Sequence, residues 1–599
     1  MSVAMPCGAS RLVQKNLRPT RQTRSSNARQ VQTQAAGRDD RQPDRHAGGE
    51  NLSKSDRMSA RQVNNAKENS NSAMTSSLYR KAPAPSTSYP TPSARVAPSP
   101  SMPSMRSMPS MPSMPSGAQD DDEEILRVVD HMNMGSTTRA VILAGGEQKN
   151  PLTQYRAMPA VPIGSCMMLI DVPINNCLGA GGYLDSDSTS LVARSPVRFL
   201  TRASRSARRS LLVAQSPGIN KMYVMTQFQS HQLNSHIASA YPPQGFGARQ
   251  SGWVDLLAAQ QTINGSEWYK GSADALRRNL MELKDEARGV EPADDYVILS
   301  GSAMYNMDIA RVVGYHRIKK ADITICSHMV DANEAKVKGV IVADAVGRVS
   351  GFHEKPGEMV GDFVNEDNQA RVNMGVYVFK RDAMLRLLED DAGLPMDHIG
   401  HHMIPAALAG GARVFTYLHH GYWKDVSSLR DYYEANIALT SKSKAPIKFF
   451  ELERAISAKK GKMLPPARLC GSVTVDQSIL GDGAILCDGC VSRRSIIGEN
   501  VLVGTGSTIE ESLLLGSRMW TSETQRAAAK ARGDLIYGVG SNVHLKGCVV
   551  DENAYIGDGC IVRNDAGVME ADGSKWGYMI HEGIVVVLKN AVIPDGTVI

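Results

Sequence analysis

The chain has 599 residues, enough for two or three domains, and a formal net charge of +6. The positive charge is concentrated near the N-terminus, so it gives no support for a nucleic-acid partner. No apolar run is long enough to span a membrane. Nine scattered cysteines are typical of a reduced intracellular protein rather than a disulfide scaffold.

The N-terminal region has the composition of a targeting segment. Residues 1–38 contain repeated Arg, Ser, Thr and Gln but no Asp or Glu, so we predict an organelle transit peptide over 1–50. A generic basic tail is the alternative. Residues 51–135 are rich in Ser, Pro and Met and cannot bury enough apolar surface to fold alone, which predicts a disordered linker. Asp120–His131, acidic and then apolar, suggests a short helix at its end.

Residues 136–440 alternate apolar strand-like runs with amphipathic stretches. Examples of the runs are KMYVMTQF, DYVILSG, ADITICSHM and NMGVYVFK. This alternation predicts an α/β domain, Rossmann-like, with a mostly parallel sheet. Ligands bind at the carboxyl ends of the strands in such sheets, so we expect the functional residues there.

The most informative stretch is Arg139–Cys177. Its apolar run Val141–Leu143 ends at Gly145 and Gly146, which predicts a buried strand entering a tight turn whose backbone amides can face a phosphate. On its own this pattern is weak, because many α/β proteins contain it without a ligand. Matching motifs extend much further along the chain: GINKMYVMTQF, WYKGSADALR, ILSGSAMYNMD, GFHEKP, NMGVYVF, GYWKDVSSL and GIVVVLKNAVIPDGTVI.

Together these motifs resemble the ADP-glucose pyrophosphorylase (glucose-1-phosphate adenylyltransferase) family, and the last of them is more similar to the plant-type large subunit. The resemblance implies a nucleotidyltransferase domain, a plastid location, Mg²⁺ as cofactor, and ATP and glucose 1-phosphate as substrates. It implies nucleotide binding by residues in three motifs: Gly145, Gly146, Gln260, Gln261, Gly271, Ser272 and Asp274. It implies glucose 1-phosphate binding by Glu354, Lys355 and Asn373, with Lys355 on the phosphate.

The groups that stabilise charge in this reaction differ from the family pattern. The family's Gly-rich loop is longer and carries an Arg that AGGEQKNPLT lacks, and Lys149 cannot reproduce the bidentate contact. Met158 replaces the family's Lys, and Ser302 replaces its metal-binding Asp. Asp425 remains as the second acidic position, and we predict it as the catalytic and metal-binding carboxylate.

Each such loss commonly lowers the rate by roughly 10²–10³, so we expect little turnover by this chain alone. The resemblance implies that a catalytic small subunit supplies the activity in a heterotetramer, with this chain as a regulatory large-type subunit in starch synthesis. One alternative is a working enzyme that uses Lys149 and Asp425. The other is a pseudoenzyme scaffold or sensor outside any pyrophosphorylase complex. Related enzymes that use GTP or UTP match the motifs less well.

An anomalous insert interrupts the resemblance at residues 183–218. The family passes almost directly from Asn-Cys-Leu to Gly-Ile-Asn-Lys, whereas about 36 Ser- and Arg-rich residues intervene here. We interpret them as untranslated sequence read through in the gene model. A functional basic loop is the alternative.

The C-terminal region, predicted over 464–599 after a linker at 441–463, has an aliphatic residue every six positions. The repeat comprises Ile479, Ile485, Val491, Ile497, Val503, Ile509 and Leu515, and it resumes at Val550, Ile556 and Val562. Such a repeat predicts a parallel β-helix, and the resemblance implies the left-handed form. The break at Ser517–Ile536 contains a helix-like segment, Glu523–Arg532. Cys487 and Cys490 form a CxxC that suits a repeat turn better than a zinc site.

The resemblance also implies a site for phosphate-bearing effectors such as 3-phosphoglycerate and inorganic phosphate. Lys589 matches an effector Lys, and His581 stands where the family has another cation. Arg156, Lys462 and Arg468 are weaker candidates, since each is equally well explained as a solvated surface charge.

Overall fold

The structure is a computed structural model, and every residue that it describes belongs to one compact unit, Met108–Ile599. It describes residues 125, 129, 134–146, 150–179, 218–242, 252–259, 268–284, 291–389, 396–441, 447, 464–517, 522–532 and 537–599. The predicted transit peptide and most of the predicted insert lie outside this set. No helix within these ranges is long and apolar enough to cross a membrane.

The first domain is built on a nine-stranded sheet. Its strands are Thr138–Ala144 (β1), Lys221–Thr226 (β4), Trp253–Ala258 (β5), Asp295–Ser300 (β6), Ile323–Asp331 (β8), Gly339–Ala343 (β9), Val349–Glu354 (β10), Gln369–Lys380 (β11) and Val414–Leu418 (β12). Two small ribbons pair Pro162–Ile163 (β2) with Met167–Met168 (β3), and Ala303–Tyr305 (β7) with Trp423–Asp425 (β13). Strand β1 pairs in parallel with β4 and β6, and β12 pairs in parallel with β8. Strands β10 and β11 are antiparallel to their neighbours. The predicted mostly parallel α/β sheet is confirmed.

The helices of the described ranges follow the alternation seen in the sequence. They are Met134–Thr137 (α1), Asp171–Leu178 (α2), His231–Ala240 (α3), Ser272–Arg278 (α4), Leu280–Leu283 (α5), Ile309–Ile318 (α6), Ala332–Ala335 (α7), Arg381–Glu389 (α8), Ile404–Ala409 (α9), Leu429–Leu439 (α10) and Glu523–Arg532 (α11). Neighbouring residues of β1 belong to different apolar clusters: Ala140 and Ile142 to one, Val141 to the other. Side chains alternate across a strand, so both faces of the sheet are covered.

The predicted insert leaves the domain and returns to it at nearly one point. The Ile219 amide donates to the Cys177 carbonyl oxygen at 2.8 Å, so the two ends of the connection are in direct contact. A Cβ on Gly218 would lie 1.9 Å from the Leu178 carbonyl oxygen, which explains the need for glycine there. The core of the domain therefore needs only a short turn between α2 and β4.

The second domain is a left-handed parallel β-helix, as predicted. Its strands are Arg468–Leu469 (β14), Thr474–Asp476 (β15), Ile479–Leu480 (β16), Ile485–Leu486 (β17), Val491–Arg493 (β18), Ile496–Ile497 (β19), Leu502–Val503 (β20), Thr508–Glu510 (β21), Leu513–Leu514 (β22), Gly538–Val539 (β23), His544–Lys546 (β24), Cys548–Val550 (β25), Tyr555–Ile556 (β26), Ile561–Val562 (β27), Ala571–Gly573 (β28), Tyr578–His581 (β29), Ile584–Val587 (β30) and Val592–Ile593 (β31). They form three ladders, and the predicted helical segment is present as α11.

The coil length of the β-helix corrects the strict six-residue period. Ile479 pairs with Ile496 and Ile485 with Leu502, so one coil takes 17 residues rather than 18. The strict period therefore drifts: Ile497, Val503 and Ile509 are buried, while Ile479, Ile485, Val491 and Leu515 are only partly buried. One corner of each coil is a residue shorter and takes a left-handed backbone at Gln477, Arg494 and Glu511.

The two domains share one apolar core. Ile496, Leu513, Val549 and Val586 of the β-helix belong to the same buried cluster as the residues of α2 and α10 in the first domain. At the edge of this contact the Tyr433 hydroxyl donates to the Glu511 carbonyl oxygen at 2.5 Å. Burial of one continuous apolar surface makes the two domains a single packed body.

Deletion of residues 183–217 should leave a folded protein. Residues 179–182, Gly-Ala-Gly-Gly, would bridge the touching ends of α2 and β4, and closing a shorter loop costs less entropy. We expect the free energy of unfolding to stay the same or rise by up to about 2 kcal/mol, measured by chemical denaturation.

Gly218→Ala provides the sensitivity control, because its Cβ must displace the Leu178 carbonyl group. Overpacking of this kind typically costs about 1–3 kcal/mol. Loss of cooperative unfolding in the deletion variant would show that residues 183–217 belong to the folded domain.

Candidate active site

A cleft of about 570 Å³ opens at the carboxyl ends of β1, β4 and β6. Residues at the carboxyl ends of these strands, Leu143, Met225 and Ser300, line it. Six of the predicted site positions line it: Gly145, Gly146, Met158, Gly271, Ser272 and Ser302. Parallel strands deliver their carboxyl ends to one edge of the sheet, so residues far apart in sequence meet there.

The Gly145–Gly146 turn leaves space over the cleft. A Cβ on Gly145 would lie 2.9 Å from the Gln227 Cβ, so this position admits only glycine without rearrangement. A Cβ on Gly146 would meet no atom within 4 Å, because this residue faces open space. The turn can therefore receive a bulky anionic group such as a nucleotide phosphate.

The loop before α4 forms another wall of the cleft. A Cβ on Gly271 would lie 2.4 Å from the Asp397 carbonyl oxygen and 2.6 Å from the His398 ring. The Ser272 hydroxyl accepts from the Ile399 amide at 2.9 Å. Asp274 accepts from the Lys270 amide at 2.9 Å and pairs with Arg278 at 3.0 Å, so its carboxylate supports the loop and does not line the cleft.

The residues predicted to bind glucose 1-phosphate do not themselves line the cleft, unlike the glycines and Ser272 of the predicted nucleotide site. Asn373 donates to the Tyr377 hydroxyl at 2.6 Å and accepts from the Gly375 amide at 3.0 Å; Tyr377 and Gly375 line the cleft. Burial raises the pKa of Tyr377, so its hydroxyl stays protonated and can donate. Glu354, the last residue of β10, and Lys355 directly after it are exposed and do not line the cleft.

Two of the three altered charge positions lie inside the cleft. Met158 is 1 % exposed and contributes an apolar wall. The Ser302 hydroxyl lies 3.2 Å from the Ser300 hydroxyl. The cleft therefore has a neutral, partly apolar surface at the positions where the resemblance implies a cation and a carboxylate. The third altered position, the short loop with Lys149, falls outside the described residues.

Asp425 lies beside residue 302, and its carboxylate, predicted to bind a metal ion, is paired with Lys338. In the β7–β13 ribbon Asp425 pairs with Ala303, and the Val426 amide donates to the Ser302 carbonyl oxygen at 2.9 Å. Lys338 Nζ lies 3.5 Å from Asp425 Oδ2. Desolvation raises the pKa of the Asp425 carboxyl, and the Lys338 ammonium opposes that rise.

This donor set does not fit the predicted Mg²⁺ site. Magnesium favours oxygen ligands in octahedral geometry, whereas this site offers one carboxylate, already paired, and one hydroxyl. No cluster of three or more His, Cys, Asp or Glu side chains suited to a metal ion occurs within the described ranges.

Two of the predicted effector residues are drawn into a buried cluster between the domains. Arg156 lies 2.5 Å from Asp551 and 3.3 Å from Glu552, and Lys589 lies 2.8 Å from Glu552. Gln232 of α3 donates to Glu552 at 3.1 Å and accepts from Lys589 at 3.1 Å. We call these five residues the interdomain cluster. Its two cations and two carboxylates balance in charge.

The remaining effector candidates lie elsewhere. His581 pairs with Glu570 at 2.9 Å on β29, and Arg468 is an exposed residue of β14. Lys462, like Gln260 and Gln261 of the predicted nucleotide site, lies outside the described residues.

Sequence reasoning missed four residues with clear roles in these sites. Lys338, Asp551 and Glu552 pair with predicted residues, and His398 lines the cleft. Asp551 and Glu552 carried a usable signal: they are adjacent carboxylates directly after the aliphatic position Val550 of the repeat, where burial was expected. Lys338 and His398 carried none, because nothing in their local sequence distinguishes them.

Comparison with known proteins agrees with this architecture. Residues 192–442 match the nucleotidyl transferase family, and residues 462–598 match the GLGC left-handed parallel beta-helix domain. A relative from Triticum aestivum, the chloroplastic/amyloplastic small subunit of glucose-1-phosphate adenylyltransferase, is 33 % identical over 474 residues. That alignment covers 77 % of this chain and 90 % of the relative. The chain therefore belongs to the glucose-1-phosphate adenylyltransferase family.

Proposed function

We propose that this chain is a large-type, regulatory subunit of an ADP-glucose pyrophosphorylase and has impaired catalysis of its own. The complex would convert ATP and glucose 1-phosphate to ADP-glucose and pyrophosphate in starch synthesis. One observation carries the proposal: the cleft keeps its open glycine turn but presents Met158 and Ser302 where charge must be stabilised.

Nucleotide binding and the transfer reaction make different demands on the cleft. Binding a nucleotide needs space and backbone donors, which the Gly145–Gly146 turn retains. Transfer to the α-phosphorus concentrates negative charge, and preorganised cations lower the free energy of that transition state. Neither the Met158 thioether nor the Ser302 hydroxyl carries positive charge or binds a metal strongly, so the chain should bind ATP better than it turns ATP over.

The partner and location are part of the same proposal. A catalytic small subunit, joined with this chain in a heterotetramer, would supply the missing groups and the reaction's Mg²⁺ site. The Triticum aestivum relative is described as a small subunit and as chloroplastic/amyloplastic, which supports a plastid location for this chain. The large-type assignment rests on the C-terminal motif and on the altered charge positions.

Phosphate-bearing effectors would act at the interdomain cluster. Arg156 of the first domain and Lys589 of the β-helix meet in this cluster. An anion that bound both cations would therefore alter the contact between the two domains. In this chain the anion must compete with Asp551 and Glu552, which already neutralise both cations. An anion should therefore need a higher concentration to bind here than it would at two cations with no carboxylate partners.

The deciding experiment measures ADP-glucose formation by the full chain alone, by an active small subunit alone, and by the two mixed. We expect the chain alone to be at least about 10²-fold slower than the small subunit. Activity of the mixture should exceed that of the small subunit and respond differently to 3-phosphoglycerate. Comparable turnover by the chain alone would favour the working-enzyme alternative, and absence of any complex would favour the scaffold.

Gly146→Ala should weaken ATP binding without changing stability. Its Cβ meets no protein atom within 4 Å but occupies the space above the turn, so the phosphates must move. We expect a rise in the dissociation constant of about tenfold, worth about 1.4 kcal/mol, by calorimetric titration.

The matched control for that variant is Gly361→Ala, whose Cβ also meets nothing within 4 Å but lies away from the cleft. ATP affinity should stay at the wild-type value in this control. Equal affinities in all three proteins would remove the glycine turn from the nucleotide site.

Glu552→Gln should destabilise the protein and make it responsive to inorganic phosphate. Removing one charge from a buried pair typically costs about 3–5 kcal/mol, and it leaves the interdomain cluster with a net positive charge. We expect a lower melting temperature that phosphate partly restores, measured by thermal unfolding across a phosphate series.

Glu510→Gln is the control, because Glu510 pairs with Arg493 at 2.8 Å on the surface of the β-helix. Exposed pairs contribute little, so the melting temperature should barely change. Saturable stabilisation of the wild-type protein at the same phosphate concentration would contradict the proposed competition by Glu552.

A further inference from the structure

Strands β7 and β13 place the remaining acidic position of the reaction site next to a lysine that belongs to neither strand. Lys338 directly precedes β9, and its Nζ reaches across to Asp425 Oδ2 at 3.5 Å. The Lys338 side chain is only 11 % exposed. Lysine side chains are rarely buried to this extent unless they are paired, so this contact is part of the packed structure.

Three contacts fix the Lys338 ammonium. Besides Asp425 it lies 3.8 Å from Glu334 Oε1, one helical turn earlier, and 5.0 Å from the centre of the Trp423 ring. A cation above an aromatic face is stabilised by the ring's electrons. Trp423 stands in β13 two residues before Asp425, so one strand supplies both the ring and the carboxylate.

The backbone of Lys338 also joins this group to the predicted sugar-phosphate motif. Its carbonyl oxygen accepts from the Lys355 amide at 3.1 Å, where Lys355 adopts a left-handed backbone with φ of 49°. Lys338 is therefore anchored at both its side chain and its main chain, and its position beside Asp425 follows from the fold.

A divalent cation at Asp425 would meet two obstacles. The ammonium already occupies one face of the carboxylate, and its positive charge repels a second cation nearby. The neighbouring position 302 offers a hydroxyl in place of a carboxylate, and that hydroxyl lies 3.2 Å from the Ser300 hydroxyl. The two features act together, since each lowers the negative charge available to a metal ion.

We propose that Lys338 is an internal counter-ion that takes the place of a divalent metal ion at Asp425, so that this chain holds no metal of its own there. The inference deepens the proposed function and rests on it: with no carboxylate at 302 to share a metal ion, the Asp425 carboxylate is neutralised by the Lys338 ammonium instead. Lys338 is a positioning residue, which neutralises and orients the Asp425 carboxylate without touching substrate.

The test is binding of Mn²⁺ to the nucleotide-free full chain, followed by electron paramagnetic resonance. We compare the wild type with Ser302→Asp, with Lys338→Gln, and with the two substitutions combined. Wild type should show no site that depends on Asp425. The combined variant should gain one site, at least about tenfold tighter than any in either single variant, because it restores two unpaired carboxylates.

Lys336→Gln is the matched control. Lys336 lies two residues away and pairs with the exposed Glu358 at 3.0 Å, so its loss should leave Mn²⁺ binding unchanged with or without Ser302→Asp. Circular dichroism and the melting temperature of each variant confirm that a negative result comes from a folded protein.

Two outcomes would overturn the inference. One is a Mn²⁺ site in the wild type that disappears in Asp425→Asn. The other is a folded combined variant that gains no site. A separate measurement of ATP affinity distinguishes failure of this inference from failure of the proposed function. A wild-type chain that binds no ATP would contradict the proposed function and leave the Mn²⁺ result unaffected.

Discussion

The arrangement of the whole molecule depends on the interdomain cluster. Arg156 is completely buried, and a guanidinium cannot lose its charge in a protein, so its burial requires carboxylates within reach. The β-helix supplies them from Asp551 and Glu552, and Lys589 completes the neutral group. The loop that carries Arg156 also carries Met158 of the cleft, two residues later. The geometry of the reaction site and the docking of the β-helix are therefore set by the same short segment.

The charged side chains at the cleft and at the domain boundary share one property. At the cleft, Met158 and Ser302 stand where the resemblance implies a cation and a carboxylate, and Asp425 is paired with Lys338. At the domain boundary, the cations predicted for anionic effectors are paired with internal carboxylates. At both sites the charged groups are paired within the chain. This supports a subunit that contributes structure and coupling more than chemistry.

Local patterns predicted what depends on local sequence. The strand and turn at Gly145–Gly146, the segment Glu523–Arg532 and the β-helix all follow from periodicity and turn residues, and the structure contains them. The pairs that decide the chemistry were out of reach. Lys338 and Asp425 are 87 residues apart, and Arg156 and Asp551 are 395 apart. Their meeting depends on strand order and domain docking, which no window of sequence encodes. The 17-residue coil was missed because the shortened corner uses ordinary residues, Gln477, Arg494 and Glu511, in a left-handed backbone.

The contact between Cys177 and Ile219 has a consequence for how the chain can be handled as two pieces. Strands β1 and β4 lie side by side in the sheet, yet β1 precedes the contact in the chain and β4 follows it. A break between α2 and β4 would leave each fragment with half of a parallel strand pair and an apolar face that only the other fragment covers. The protein is thus suited to reassembly from two co-expressed fragments, with the cleft re-formed only when they associate.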